Sequence, residues 1–171
     1  MPDENATREN APASLHNAPG EIRGDLIDAH MKAWDWIARP GTWMTGTERR
    51  AVAAEARNAV DCDLCTKRKN ALSPHAVEGN HDTTTSLSAA HVDAIHRLAT
   101  DPGRLSKDWL DKTIAEGLSD GTYVESAAIV SMVVAMDTFT WAMDMEPRVI
   151  PDAIAGEPTR YRPPGARINQ A

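Results

Sequence analysis

"TYVESAAIVSMVVAMDTFTWAM", residues 122–143, holds the longest apolar run of the chain, Ser126 to Met136, eleven residues between Glu125 and Asp137. A bilayer span takes roughly 20 apolar residues, so this run reads as a buried helix and not as a membrane crossing. Thr122 followed three residues later by Glu125 has the form of a capping box, which predicts a helix opening at "TYVE" and running to Met143. A helix that is apolar on most sides needs cover on most sides. With aromatics at 5% and Phe139 the only phenylalanine, that cover must come from Ala, Val, Leu, Ile and Met, and in part from a second copy of the chain.

Working upstream, every segment with a periodic apolar pattern is also helical. Ser106 can cap a helix to Glu116 that stops at Gly117, and Ser88 another to Thr100. Asp25 to Arg39 places Leu26, Ile27, Met31, Trp34 and Ile37 at helical spacing and ends at Pro40, which cannot continue a helix. Thr47 is the expected cap of a helix through Val60, and Asp61 that of a shorter one ending near Ser73-Pro74. The polar, aperiodic run "HAVEGNHDTTTSL", residues 75–87, reads as a loop. No strand pattern or internal repeat competes, so the expected fold class is all-α with about six helices.

The chain of 171 residues suits one domain with extended ends. Residues 1–20 are charged, amide-rich and without a secretory pattern, and predict a flexible segment and a cytoplasmic protein. Residues 21–146 form the helical domain. Residues 147–171 carry Pro147, Pro151, Pro158, Pro163 and Pro164, and read either as disorder or as an arm over the domain or a neighbouring subunit, anchored by Ile150, Ile154 and Tyr161. Lys plus Arg total 18 against 25 Asp plus Glu. The net charge of -7 repels phosphate backbones, so neither nucleic acid nor a membrane is an expected partner; a small molecule is.

"VDCDLCTKRKNALSPH", residues 60–75, contains the two cysteines, Cys62 and Cys65. In a reducing cytosol such a pair serves catalysis or metal binding more often than architecture. With Asp61 as cap, Cys62 takes the first helical position, where free amides and the helix dipole favour a thiolate. Lys67, Arg68 and Lys69 add positive charge, Lys69 one turn beyond Cys65, while Asp61 and Asp63 oppose ionisation. One reading is a redox dithiol in which one thiolate attacks a peroxide or disulfide and the other resolves the product. A second uses Cys62, Cys65, His75 and His81 as C-x2-C-x9-H-x5-H ligands to zinc or another thiophilic metal. A third is two inert, buried neighbours. Glu48, Glu55 and Cys62 recur at intervals of seven and would form one stripe on a continuous helix. His91 and His96, five apart, do not share a helix face and read as surface or satisfied core residues.

The order "TERRAVAAEARNAVDCDLCTKRKNA" (47–71), then "AAHVDAIHRLATDPGRLSKDWLDKTIAEGLSDGTYVESAAIVSMVVAMDTFTWAMDM" (89–145), resembles the alkylhydroperoxidase-like superfamily, which includes the carboxymuconolactone decarboxylases. The resemblance implies an oligomeric helical domain whose dithiol reduces hydroperoxides and is restored by a thiol reductant, without a cofactor. The family's proton relay is a glutamate twelve residues before the first cysteine and a histidine four after the second; here those positions hold Arg50 and Lys69. Glu48 or Glu55 is then the candidate acid, His75 the candidate imidazole and Lys69 an electrostatic support for a thiolate. Turnover of simple alkyl hydroperoxides is expected to be slow. A helical binding module without catalysis is the non-enzymatic alternative.

Overall fold

The computed structural model describes Leu15, Ala18 and residues 20–165, so most of the expected N-terminal segment and the end of the tail lie outside the described residues. Six α-helices run in order: α1 (Gly24–Ile37), α2 (Gly46–Asn58), α3 (Asp63–Asn70), α4 (Ala89–Thr100), α5 (Lys107–Ala115) and α6 (Asp120–Ala142). Among the described residues there is no strand.

The caps decide where the helices begin. The Ser88 hydroxyl accepts from the His91 amide and the Ser106 hydroxyl from the Trp109 amide, as expected for α4 and α5. The cap of α2 lies two residues before the expected one: Thr45 Oγ1 accepts from the Glu48 amide at 3.3 Å and a Glu48 carboxylate oxygen accepts from the Thr45 amide at 2.8 Å, a complete capping box. Glu48 is thereby engaged far from the cysteines. α6 likewise opens on Ser119, whose hydroxyl accepts from the Thr122 amide at 3.1 Å, and not on Thr122. The TxxE pattern at 122–125 sits inside the helix, because Glu125 is drawn away to another partner.

The core joins α1, α2, α4 and α6. Trp34, Ile37, Val52, Ala53, Ala56, Ile95, Ile129, Val130 and Val133 form one buried cluster. Each Val or Ile taken fully from water contributes about 1.5–3 kcal/mol. α6, 23 residues, is long and apolar enough to cross a membrane, but it packs on α2 and α4 and ties two of its three acids, Glu125 and Asp137, to α2. Glu125 pairs with Arg49, and Asp137 accepts two bonds from Arg57 at 2.8 and 2.7 Å. Arg49 is fully buried and also donates to the Trp36 and Ile37 carbonyls at the end of α1, both at 3.1 Å. His91 is a satisfied core residue, 2.7 Å from the Ser126 hydroxyl.

The Pro-rich tail lies across its own domain. Ile154, Thr159 and Arg160 donate backbone N–H bonds to the carbonyls of Ala38 (2.8 Å), Gly41 (3.1 Å) and Thr42 (2.9 Å). Gly46 makes this crossing possible: a Cβ there would meet the Ala38 and Ile154 carbonyl oxygens at 2.4 and 2.5 Å. Of the expected anchors only Ile150 packs on the core. Ile154 and Tyr161 are exposed, since the backbone, not their side chains, holds the arm.

Candidate functional site

α2 does not run straight into α3. Its last turn tightens into a 3-10 turn at Ala59–Asp61, and α3 restarts at Asp63 with Cys62 as its N-cap, one residue later than the expected cap. Three consequences follow from that break. Glu55 points inward from the end of α2; Cys62 and Cys65 lie one turn apart on the buried side of α3; and the loop after α3 can fold back over both. All three side chains are buried, and the two thiols are free.

The loop and α4 bring two histidines to the sulfurs. His81 Nδ1 lies 3.5 Å from Cys62 Sγ and 3.6 Å from Cys65 Sγ. His96 Nδ1 lies 3.3 Å from Cys65 Sγ. The far nitrogen of each ring meets a carboxylate: His96 Nε2 is 3.0 Å from Glu55 Oε2, and His81 Nε2 is 2.9 Å from Asp93 Oδ1. The Arg68 guanidinium also touches His81 Nε2, at 3.0 Å, but its hydrogens have Asp93 (2.6 Å) and the Val77 carbonyl (3.1 Å) as acceptors. Each Nε2 therefore carries the hydrogen, and each Nδ1 aims a lone pair at sulfur.

The carboxylates are anchored in turn. Glu55 Oε1 accepts from the Thr83 and Thr85 hydroxyls at 2.5 and 2.7 Å and from the Thr84 and Thr85 amides, both at 2.9 Å. Burial works to raise this carboxyl, but the threonine hydroxyls, His96 and the Thr84 amide overcome it and bring it down to about 2. Asp93 is held well below the usual carboxylate range, burial again opposing and His81, Arg97 and Arg68 prevailing. The thiols diverge. Burial acts to raise Cys62, yet the Cys65 amide at the helix start and His81 lower it on balance. Cys65 is pushed up to about 12 by burial and by the negative charge of Cys62. Burial lowers the His96 pKa against the pull of Glu55.

Of the residues expected from the sequence, Cys62, Cys65, Glu55 and His81 come together. His75 does not: its Nδ1 faces Arg97 Nη1 at 3.1 Å, because the Pro74–Ala76 turn carries it outward. Arg50 faces the tail and donates to the Pro151 carbonyl at 3.2 Å. Lys69 is exposed and lines, with Val60, Thr66 and Asn70, a recess of about 250 Å³ whose wall includes Cys65. Asp93 and His96 are the residues the sequence reading missed. Their signal lay in register: Val92, Ile95, His96 and Ala99 follow the apolar spacing of α4, so His96 occupies a core position.

Four atoms, the two sulfurs and the two Nδ1, lie within 4.8 Å of one another and form a group able to hold a metal ion. Comparison with known proteins gives no match to any family model, curated protein or solved structure.

Proposed function

We propose that the chain is a thiol-dependent oxidoreductase that reduces hydroperoxides through Cys62 and Cys65. The observation that carries this reading is the line Glu55–His96–Cys65, a carboxylate, an imidazole and a thiol joined at 3.0 and 3.3 Å. It supplies, from α2 and α4, the acid and imidazole that Arg50 and Lys69 cannot. The resemblance to the alkylhydroperoxidase-like superfamily supports the same reading, and with it a cytoplasmic homo-oligomer served by a small-molecule peroxide and a thiol reductant.

Cys65 borders the recess and meets the substrate; burial holds its thiol protonated, so it reacts only as His96 draws the proton away. As His96 Nδ1 takes its proton, the sulfur attacks the outer oxygen of R–O–OH; the O–O bond breaks, the alkoxide leaves as R–OH with that proton, and Cys65 becomes a sulfenic acid. Cys62, at the start of α3, attacks that sulfur and expels water, leaving the Cys62–Cys65 disulfide. Two thiols of the reductant then restore the pair by exchange and leave as their own disulfide. Lys69 sits at the mouth of the recess, where its charge favours an anionic substrate.

The test uses metal-free, reduced protein, tert-butyl hydroperoxide and dithiothreitol. Wild type should form one disulfide per chain and turn over; Cys65→Ser should do neither. Cys62→Ser should stop at a sulfenic acid on Cys65, trapped by dimedone. If folded wild-type protein keeps both thiols under excess hydroperoxide, the reading is wrong.

A further inference from the structure

Three sulfur–nitrogen contacts link the two cysteines to the two histidines. Hydrogen bonding has only two thiol hydrogens and two Nδ1 lone pairs to distribute, so it leaves at least one of the three contacts unmade. One cation at the centre uses all four donors together. Zn–S of ~2.3 Å and Zn–N of ~2.0–2.1 Å at tetrahedral angles put sulfur and nitrogen about 3.5–3.6 Å apart. The contacts are 3.5, 3.6 and 3.3 Å.

The surroundings fit the same ion. Ligating histidines present one nitrogen to the metal and give the other N–H to a carboxylate, which fixes the ring and raises its basicity. Both rings do this here, His81 on Asp93 and His96 on Glu55. Two thiolates and two neutral imidazoles would leave a bound divalent zinc without net charge in a site where the cysteines and His96 are almost fully buried. Calcium and magnesium take oxygen ligands, whereas the four donors that meet here are sulfur and nitrogen.

We propose that the reduced protein binds one zinc ion through Cys62 Sγ, Cys65 Sγ, His81 Nδ1 and His96 Nδ1. The ligand set differs from the sequence expectation at one place, His96 standing where His75 was expected. Four protein ligands close the coordination sphere, so zinc and disulfide chemistry exclude one another. Oxidation of the two thiolates by a hydroperoxide, which takes up two electrons and two protons and yields R–OH and water, forms the disulfide and releases the ion. Zinc binding itself stands apart from the redox reading: a chain that never meets a peroxide could still hold it.

Chelator-stripped, reduced wild-type protein is titrated with zinc against a chromophoric chelator, and with cobalt as a spectroscopic stand-in. The expected result is one zinc per chain and an intense tetrahedral cobalt spectrum with thiolate charge-transfer bands. His81→Ala and His96→Ala should lose stoichiometric binding, and His75→Ala should keep it. Asp93→Asn, which leaves every ligand in place, should weaken binding 10–100-fold and serves where a ligand variant fails to fold. Folded, reduced wild type that takes up no zinc, a weak octahedral cobalt spectrum, or unchanged affinity in His96→Ala overturns the proposal. Hydroperoxide assays on the stripped protein report separately on the dithiol, so either reading can fail alone.

Discussion

Glu55 divides its two oxygens. Oε1 collects the Thr83–Thr85 donors and Oε2 holds His96, so one side chain both ties down the loop and sets a tautomer. Glu55→Gln separates those tasks. Its carbonyl oxygen can keep the threonine bonds, while its amide N–H₂ faces His96 Nε2 and forces that nitrogen to accept. The imidazole proton then moves to Nδ1, where it points at Cys65 and cannot take a proton from it. The expected outcome is a fall of about 10²-fold or more in the rate of peroxide-driven disulfide formation, with helicity by circular dichroism unchanged. An unaltered rate would remove His96 as the base. This coupling was not legible in the sequence, because Glu55 and His96 are 41 residues apart and neither carries a local motif.

At the scale of elements, the fold was readable wherever one helix could be judged alone. α1, α4 and α5 follow from apolar spacing and their punctuation, as does the existence of α6. Periodicity missed what it cannot see: the local caps Thr45 and Ser119 that open α2 and α6, and the 3-10 turn at Ala59–Asp61, which has no repeat by which to find it. Arg49 belongs to this class, since its spacing suggests a surface residue and its partners come from α1 and α6. Replacing it by methionine preserves helix propensity and much of the volume but leaves Glu125 buried without its cation. The expected loss in urea unfolding is about 3–5 kcal/mol. Adding Glu125→Leu should recover part of it, because the pair's desolvation is removed with the pair. A double variant no more stable than Arg49→Met would mean the guanidinium matters for the α1 carbonyls alone.

At the scale of the whole molecule, α6 shows one face to solvent. Val124 (66% exposed), Val134 (39%) and Trp141 (54%) lie along it with Ala128 and Ala135. Small and branched apolar residues on one helix face would let a second helix approach closely, and this is the face on which the proposed homo-oligomer would pair. Light scattering at micromolar concentration should give a multiple of 18.6 kDa, and Val134→Glu should give that mass itself with an unchanged circular dichroism spectrum. A wild-type monomer would remove the reading. The tail needs no part in such a contact, since its backbone bonds are spent on Ala38, Gly41 and Thr42 of the same chain. The site, by contrast, draws on no distant part of the chain. Everything from Glu55 to His96 falls within one continuous stretch, which can be written as E-x6-C-x2-C-x15-H-x11-D-x2-H. A three-dimensional arrangement is thereby reduced to a string. The six letters can be searched for in other genomes as a set, and grafted or transplanted between helical scaffolds as one cassette.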